Sequence, residues 1–377
     1  MKILSIFTPI LLFGLASCGQ IQKAENEKKV QKPTATYTYE VVVEDLQNPW
    51  GFVFLPDNSM LITEKKGDLL LVKDQKKTLI KNVPEVYDKG QGGLLDIALH
   101  PDYKDNGWIY FTYASAEGNT EGGNTALMRA KLENESLVQK ELLYKATPNT
   151  TKGQHFGSRI VFDEENNVYF SIGERGNRDE NPQDLTRDGG KIYRLHEDGS
   201  IPTNNPFYTS AEAKQAIFSY GHRNPQGMEV HPQTKEIWLH EHGPKGGDEI
   251  NIVKKGANYG WPIVTYGENY SGTSITDKTS AEGMTQPIHY WVPSIAPSGM
   301  AFVTSQKYPD LKGGLLVGSL KFQYLEFLAL EGEKITERIK LLEDVGRVRS
   351  IHQAQDGFIY IGIENLGIVK LISTEQK

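Results

Sequence analysis

The sequence lacks the means for several common kinds of stabilisation and binding. It holds one cysteine in 377 residues, Cys18, so no disulfide can brace the chain internally. It has no excess of positive charge: 41 Lys and Arg face 48 Asp and Glu, the formal net charge is −7, and no basic run stands out. Nucleic-acid binding exploits such a positive field, so nothing in this balance points to a nucleic-acid partner. Sustained helical periodicity is missing as well, with room only for a turn of helix in a loop over residues 210–216. Turn and aromatic residues are plentiful instead: 37 Gly, 18 Pro, 14 Phe, 18 Tyr and 5 Trp, a composition suited to many short strands joined by tight turns.

The first residues read as a processing signal. Lys2 supplies positive charge, residues 3–15 form an apolar run too short to span a bilayer as a stable helix, and small residues follow, as in a secretory signal peptide. Leu15-Ala16-Ser17-Cys18 resembles a bacterial lipobox, in which the cysteine is lipidated and becomes the mature N-terminus. The expected organisation is therefore a lipoprotein signal over residues 1–17, a lipid on Cys18, a flexible tether of Gln, Lys, Glu and Asn to residue 36, and a folded domain over residues 37–377. This places the protein in a bacterial cell envelope, lipid-anchored and facing the periplasm or the cell surface. The alternative is a plain signal peptide with an incidental cysteine.

A unit of apolar strand, turn and second strand recurs along that domain. It begins at Trp50, Leu95, Ser158, Gly227, Gly299 and Val348, and its second strand ends in aromatic or β-branched residues such as Trp108-Ile-Tyr-Phe-Thr-Tyr113 and Phe358-Ile-Tyr-Ile361. Spacings of roughly 40 to 70 residues are too long for a solenoid and suit four-stranded propeller blades with insertions. The expected fold is all-β, a six-bladed β-propeller. Residues 37–43 read as a strand that precedes the first unit, so they are expected to pair into the last blade and close the ring. A pair of β-sandwiches is the weaker alternative, because it gives no reason for six recurrences.

The loops between these strands carry the chemistry. Tyr220-Gly-His-Arg-Asn-Pro-Gln-Gly227, His240-Glu-His-Gly-Pro-Lys-Gly-Gly-Asp-Glu249 and Asn258-Tyr-Gly-Trp261 are dense in glycine, charge and aromatic rings, poor core material but suited to holding a ligand. Gly90-Gln-Gly-Gly93, Gly153-Gln-His-Phe-Gly157, Ser319-Leu-Lys321 and Gly346-Arg-Val-Arg349 fall at matching places in other units. A lone arginine is more often a solvated surface charge, but Arg223, Lys321, Arg347 and Arg349 at equivalent loop positions point to an anionic ligand. His155 sits between Gln154 and Phe156 within a glycine-bounded loop, a setting that presents an imidazole, whereas His100 and His231 precede prolines and suit turn roles. His240 and His242 could suggest zinc, but no cysteine or third ligand accompanies them.

Taken together, these loops resemble those of the soluble quinoprotein glucose and aldose sugar dehydrogenases, six-bladed propellers that use pyrroloquinoline quinone (PQQ) and calcium to oxidise sugars at the anomeric carbon. The resemblance runs from Asn48-Pro-Trp-Gly51 to Gly367. It implies that His155 is the general base and that Gln91, Arg223, Asn224, Tyr270, Lys321, Arg347 and Arg349 hold PQQ. It further implies that the carbonyls of Gly243 and Pro244 bind a catalytic calcium ion, and that Glu249 and Tyr259 belong to a second, structural calcium site. The implied substrate is an aldose, oxidised at C1 to the lactone, with an external electron acceptor completing the cycle.

The physical reading agrees. PQQ carries three carboxylates on a flat ring system, which suits planar guanidinium donors, a lysine point charge and an aromatic neighbour. Loop insertions shape the sugar pocket in the family this chain resembles, and residues 114–124 and 272–286 are short and polar here, so the resemblance implies an open cleft and broad aldose specificity. Two other function classes remain open: a calcium-dependent propeller hydrolase or lactonase, which needs converging carboxylates, and a non-catalytic sugar-binding propeller, which needs neither His155 nor the four cations.

Overall fold

The computed structural model describes Met1 and residues 35–374. The expected signal segment, Cys18 and nearly all of the expected tether lie outside them.

Six four-stranded antiparallel sheets follow one another along the chain. The first comprises Pro49–Phe54, Met60–Glu64, Leu69–Lys73 and Lys76–Leu79, and the second Leu94–Leu99, Trp108–Ser115, Asn124–Glu133 and Ser136–Lys145. The third runs through Ile160–Phe162, Val168–Ile172, Lys191–Leu195 and Ile217–Tyr220, the fourth through Pro225–Val230, Ile237–Glu241, Asp248–Ile252 and His289–Trp291. Pro297–Phe302, Leu315–Ser319, Leu325–Glu331 and Lys334–Leu342 build the fifth. The sixth joins Val348–Gln353, Ile359–Ile363 and Gly367–Ser373 to the early strand Tyr37–Glu44, which pairs antiparallel with Gly367–Ser373. The first strands of the sheets neighbour one another around a central axis, which makes the architecture a six-bladed β-propeller. As expected, residues 37–43 close the ring.

Each unit recognised in the sequence proves to be the two innermost strands of a blade. Those strands are buried on both faces, as in Met60–Glu64, Val168–Ile172 and Ile237–Glu241, and so read as uninterrupted apolar runs. Apolar clusters fill the space between blades: Trp238, Trp291, Phe302 and Leu315 join the fourth to the fifth, and Val53, Leu61, Ile97 and Phe111 join the first to the second. Outer strands such as Lys334–Leu342 are largely exposed. The turn of helix expected over residues 210–216 is a series of bends and turns, and a one-turn helix occurs instead at Tyr103–Asn106, ended by Gly107 in the left-handed conformation. His100 and His231 serve turns, each accepting a main-chain N–H two residues on through Nδ1.

A single arginine ties the blades together on the axis. Arg159, at the start of the third blade, pairs with Asp96 of the second at 3.1 Å and donates to the carbonyls of Gln226 in the fourth (2.6 Å) and Arg349 in the sixth (2.7 Å). It also reaches Trp50 O of the first blade and Ser298 Oγ of the fifth, each at 3.5 Å. Gly51 makes room for this cluster, since a Cβ there would lie 2.7 Å from the Asp96 carboxylate. Burial raises the pKa of Asp96 and lowers that of Arg159, each working against their mutual attraction, so neither charge is tolerated without the other. Arg159→Leu is therefore expected to lower the unfolding free energy by about 3–5 kcal/mol in urea denaturation, because Asp96 is left buried and unpaired. A loss under about 1 kcal/mol would contradict the role of this hub.

Candidate active site

The loops that enter the inner strands, together with those linking second and third strands, meet at one end of the propeller. There they surround two adjoining cavities. The larger, about 760 Å3, is lined among others by Lys65, Asn224, Lys321, Arg347, Arg349 and Glu364. The second, about 480 Å3, is lined among others by Lys152, His155, Glu174, Arg178, Arg223 and Trp261. Gln91, Pro244 and Tyr270 line both and so mark where the two meet.

His155 is held in a strained, fully specified position. Its backbone adopts φ 58°, unusual for a residue with a side chain. Its N–H donates to Gln91 Oε1 at 2.7 Å, and its carbonyl packs where a Cβ on Gly173 would approach to 2.3 Å, so only glycine fits there. Arg175 braces the loop from below, bonding the carbonyls of Gln154 and Lys152 and lying 3.3 Å over the Phe156 ring. Burial pushes the pKa of Arg175 down to about 9.

The His155 ring bonds the Glu174 carboxylate through Nδ1. That fixes a proton on Nδ1 and leaves Nε2 as a free base. Burial, then the nearby Arg223, lower the His155 pKa below the ordinary 6.5, with Glu174 pulling the other way. The imidazole is therefore neutral at pH 7.

The larger cavity gathers the predicted cations. Lys321 lies over the Phe322 ring at 5.0 Å, and Arg347 and Arg349 both pair with Glu364, at 2.6 Å from Arg347 Nε and 3.0 Å from Arg349 Nε. Burial works to raise the Glu364 pKa, yet Arg349 and Arg347 together hold it below the ordinary carboxylate value. Arg223 stands apart from these three, on the second cavity, where Nη1 donates to the carbonyls of His242 and Gly243, each at 3.0 Å. Tyr270 is 75% exposed at the common rim. Asn224 accepts from Gly157 N at 3.1 Å, while its buried Nδ2 lacks a partner among the described residues.

The residues fit both implied groups. A tricarboxylate with a flat ring finds the predicted cations Lys321, Arg347 and Arg349 together with Lys65 and Lys245, an orphaned amide donor and an aromatic rim around the larger cavity. For calcium, Asp248 fixes the Gly243–Pro244 turn. It accepts from Gly243 N (2.8 Å), Ser294 Oγ (2.9 Å), Ile295 N (2.7 Å) and Ala296 N (2.9 Å), and burial raises its pKa to about 6. The Gly243 carbonyl already accepts from Arg223 but has a second lone pair.

Glu249 and Tyr259 line a small void of about 10 Å3, room for one ion or water, beside a second buried carboxylate, Glu241. Burial, then repulsion from Glu241, drive the Glu249 pKa well above the carboxylate range. The Tyr259 hydroxyl donates to Ile252 O at 2.5 Å, so its main-chain carbonyl is the oxygen left for an ion.

Among the described residues no three His, Cys, Asp or Glu side chains converge as a metal centre. His240 and His242 bond instead to carbonyls of the fifth blade, Gly299 O (3.1 Å) and Pro297 O (2.7 Å), so they clamp two blades rather than hold zinc. The converging carboxylates of a calcium hydrolase are equally missing from the described residues. Sequence reasoning missed Glu174, Arg175, Asp248 and Glu364. Asp248 lies within the His240–Glu249 motif; Glu174 and Arg175 lie in Gly173-Glu-Arg-Gly-Asn-Arg-Asp-Glu180, whose density of glycine and charge was the available signal, and Glu364 is a single charge in a short turn. Neither residues 114–124 nor residues 272–286 line either cavity, so neither segment roofs the cleft.

Comparison with known proteins agrees with this geometry. The chain is 40% identical over 335 residues, 87% of it and 90% of the relative, to the aldose sugar dehydrogenase YliI of Escherichia coli K12. The crystal structure of the soluble aldose sugar dehydrogenase from Escherichia coli, in its apo form, superposes with a TM-score of 0.86 at 38% identity, covering 89% of this chain and 99% of that one. A PQQ-bound aldose sugar dehydrogenase from Streptomyces coelicolor gives 0.73 at 26% identity, over 91% of this chain and 100% of that one. The glucose / sorbosone dehydrogenase family profile matches residues 46–370, and the chain belongs to that family of sugar-oxidising enzymes.

Proposed function

We propose that this protein is a PQQ- and calcium-dependent aldose dehydrogenase that oxidises sugars at C1 to the lactone. The observation that carries this reading is a neutral, Glu174-oriented His155 on a cleft that adjoins, at Gln91, Pro244 and Tyr270, a cavity ringed by Lys321, Arg347 and Arg349. PQQ, when bound, supplies an electron-poor quinone that accepts hydride. The chain's own part is to take the C1 hydroxyl proton on His155 Nε2 as the carbonyl develops, while the Glu174 carboxylate steadies the resulting imidazolium. Arg223 brings positive charge to the boundary between sugar and cofactor, and Arg347, Arg349 and Lys321 hold cofactor carboxylates. Carbonyls of Gly243 and Pro244 would ligate one calcium ion. Glu249, with the Tyr259 carbonyl, would ligate another.

His155→Ala should lower kcat in a dye-linked aldose assay by about 100- to 10,000-fold, the contribution of a positioned general base. The acid limb of wild-type kcat/KM should fall below pH 6.5, since the base works only when neutral and its pKa is depressed. Glu174→Gln should move that limb lower still, because Glu174 is the group that raises it. An unchanged kcat in His155→Ala removes the base assignment.

Cofactor affinity gives a separate test. Arg349→Ala should weaken PQQ binding by about 1.5–3 kcal/mol, the worth of a charge-assisted hydrogen bond. Glu364→Gln should tighten it, because Glu364 competes with the cofactor for both guanidiniums. Fluorescence titration reads both, and tighter binding in Arg349→Ala would contradict the assignment.

Chelation should lower the melting temperature of the wild-type protein by mass action, and should do so less in Glu249→Gln, which loses one proposed ligand. Coincident melting curves with and without chelator would argue against both ion sites.

A further inference from the structure

The sugar cleft carries charges that a neutral hexose has no use for. Five charged side chains line it besides His155: Lys152, Arg178 and Arg223 against Glu174 and Asp179. Glu174 is committed to His155, and Arg223 to the carbonyls of His242 and Gly243. Asp179 is 82% exposed and touches Arg178 only loosely, at 3.4 Å. Lys152 bonds the Gly176 carbonyl and has no ion pair among the described residues. Two cations therefore stand at the mouth of the cleft with capacity to spare, in a chain whose formal net charge is −7.

Their placement is built rather than incidental. Arg178 belongs to the loop between the second and third strands of the third blade, and its Nη1 donates to Asn269 Oδ1 of the fourth blade at 2.7 Å. That bond joins two residues of the cleft lining, beside Tyr270, and fixes the guanidinium, which leaves further N–H groups for a planar anion. Lys152 lies three residues before His155, and its contact with Gly176 joins the His155 loop to the loop of Arg178. His155, Lys152 and Arg178 line one cavity of about 480 Å3, so a sugar bound there with its C1 hydroxyl at His155 shares the cleft with both cations.

We propose that the cleft prefers aldoses bearing a carboxylate remote from C1, as in a hexuronic acid, with Arg178 as the specificity-determining residue and Lys152 as its second. This rests on the proposed oxidation at C1 and names the substrate class of the same site. Arg178 is 39% exposed, so solvent screens the interaction, and a preference of about five-fold is expected rather than one of several hundred. The preference acts through binding, since the carboxylate is remote from the reacting bond, and so appears in KM rather than kcat.

D-Glucuronate and D-glucose share ring and anomeric centre and differ at C6, which makes them the test pair. Dye-linked initial rates of the PQQ- and calcium-loaded protein should give a glucuronate-to-glucose ratio of kcat/KM near five. That ratio should approach one in Arg178→Gln, fall below one in Arg178→Glu, and persist in part in Arg178→Lys. Saturation-transfer NMR with the same two sugars reads binding without turnover and should rank the variants in the same order. A wild-type ratio of one or less, or a ratio unmoved by Arg178→Gln, overturns the inference while leaving aldose oxidation intact. Arg178-dependent binding of glucuronate without oxidation of either sugar supports the inference and sinks the proposed activity instead. Absence of both binding and oxidation overturns both.

Discussion

The buried Arg159 guanidinium is the constraint on which the rest depends. One side chain bonds the second, fourth and sixth blades directly and reaches the first and fifth at the limit of hydrogen bonding. Apolar side chains fill most of the space between blades, and their attraction is strong but fixes direction poorly. A charge that must be satisfied from every side sets the distance of each inner strand from the axis. It therefore also sets where the loops at the strand entrances converge.

The functional end is built one layer above that hub from the same residues. Arg349 gives its carbonyl to Arg159 and turns its guanidinium into the larger cavity, where Glu364 holds it. Gln226 likewise gives its carbonyl to Arg159 while its side-chain amide donates to Gly157 O at 3.1 Å, behind the His155 loop. Asp248 performs the matching task at the fourth and fifth blades by gathering three main-chain N–H groups and Ser294 Oγ. Rigidity passed from axis to rim is what allows His155 to remain at φ 58° with its ring aimed by Glu174.

Much of the fold was legible because propeller blades repeat and their two inner strands are buried on both faces, so each left an apolar strand-turn-strand signature. The outer strands left little trace: Lys76–Leu79 is nearly all exposed and reads as loop. The site loops were legible for a different reason: Gly-Pro and His-Arg-Asn-Pro runs are poor material for an apolar core, and where buried, as His222, Arg223 and Asn224 are, they need polar partners. What the sequence hid was pairing. Nothing local to Glu174 says that it meets His155, nor does anything near Glu364 say that it lies between Arg347 and Arg349, because these partners are brought together only by the ring. The short helix after His100 was likewise hidden, being a single turn fixed by the local His100-Asp102 contact and its Gly107 cap.

The central claim is that hydride leaves C1 of an aldose as His155 takes the hydroxyl proton. Anaerobic stopped-flow mixing of the PQQ- and calcium-loaded protein with an aldose and with the same sugar deuterated at C1 tests it in a single turnover. The account predicts rapid bleaching of the oxidised quinone, slowed by a primary isotope effect with the deuterated sugar. Oxidised quinone that persists in the presence of every aldose tried, or bleaching at the same rate with both sugars, would contradict it.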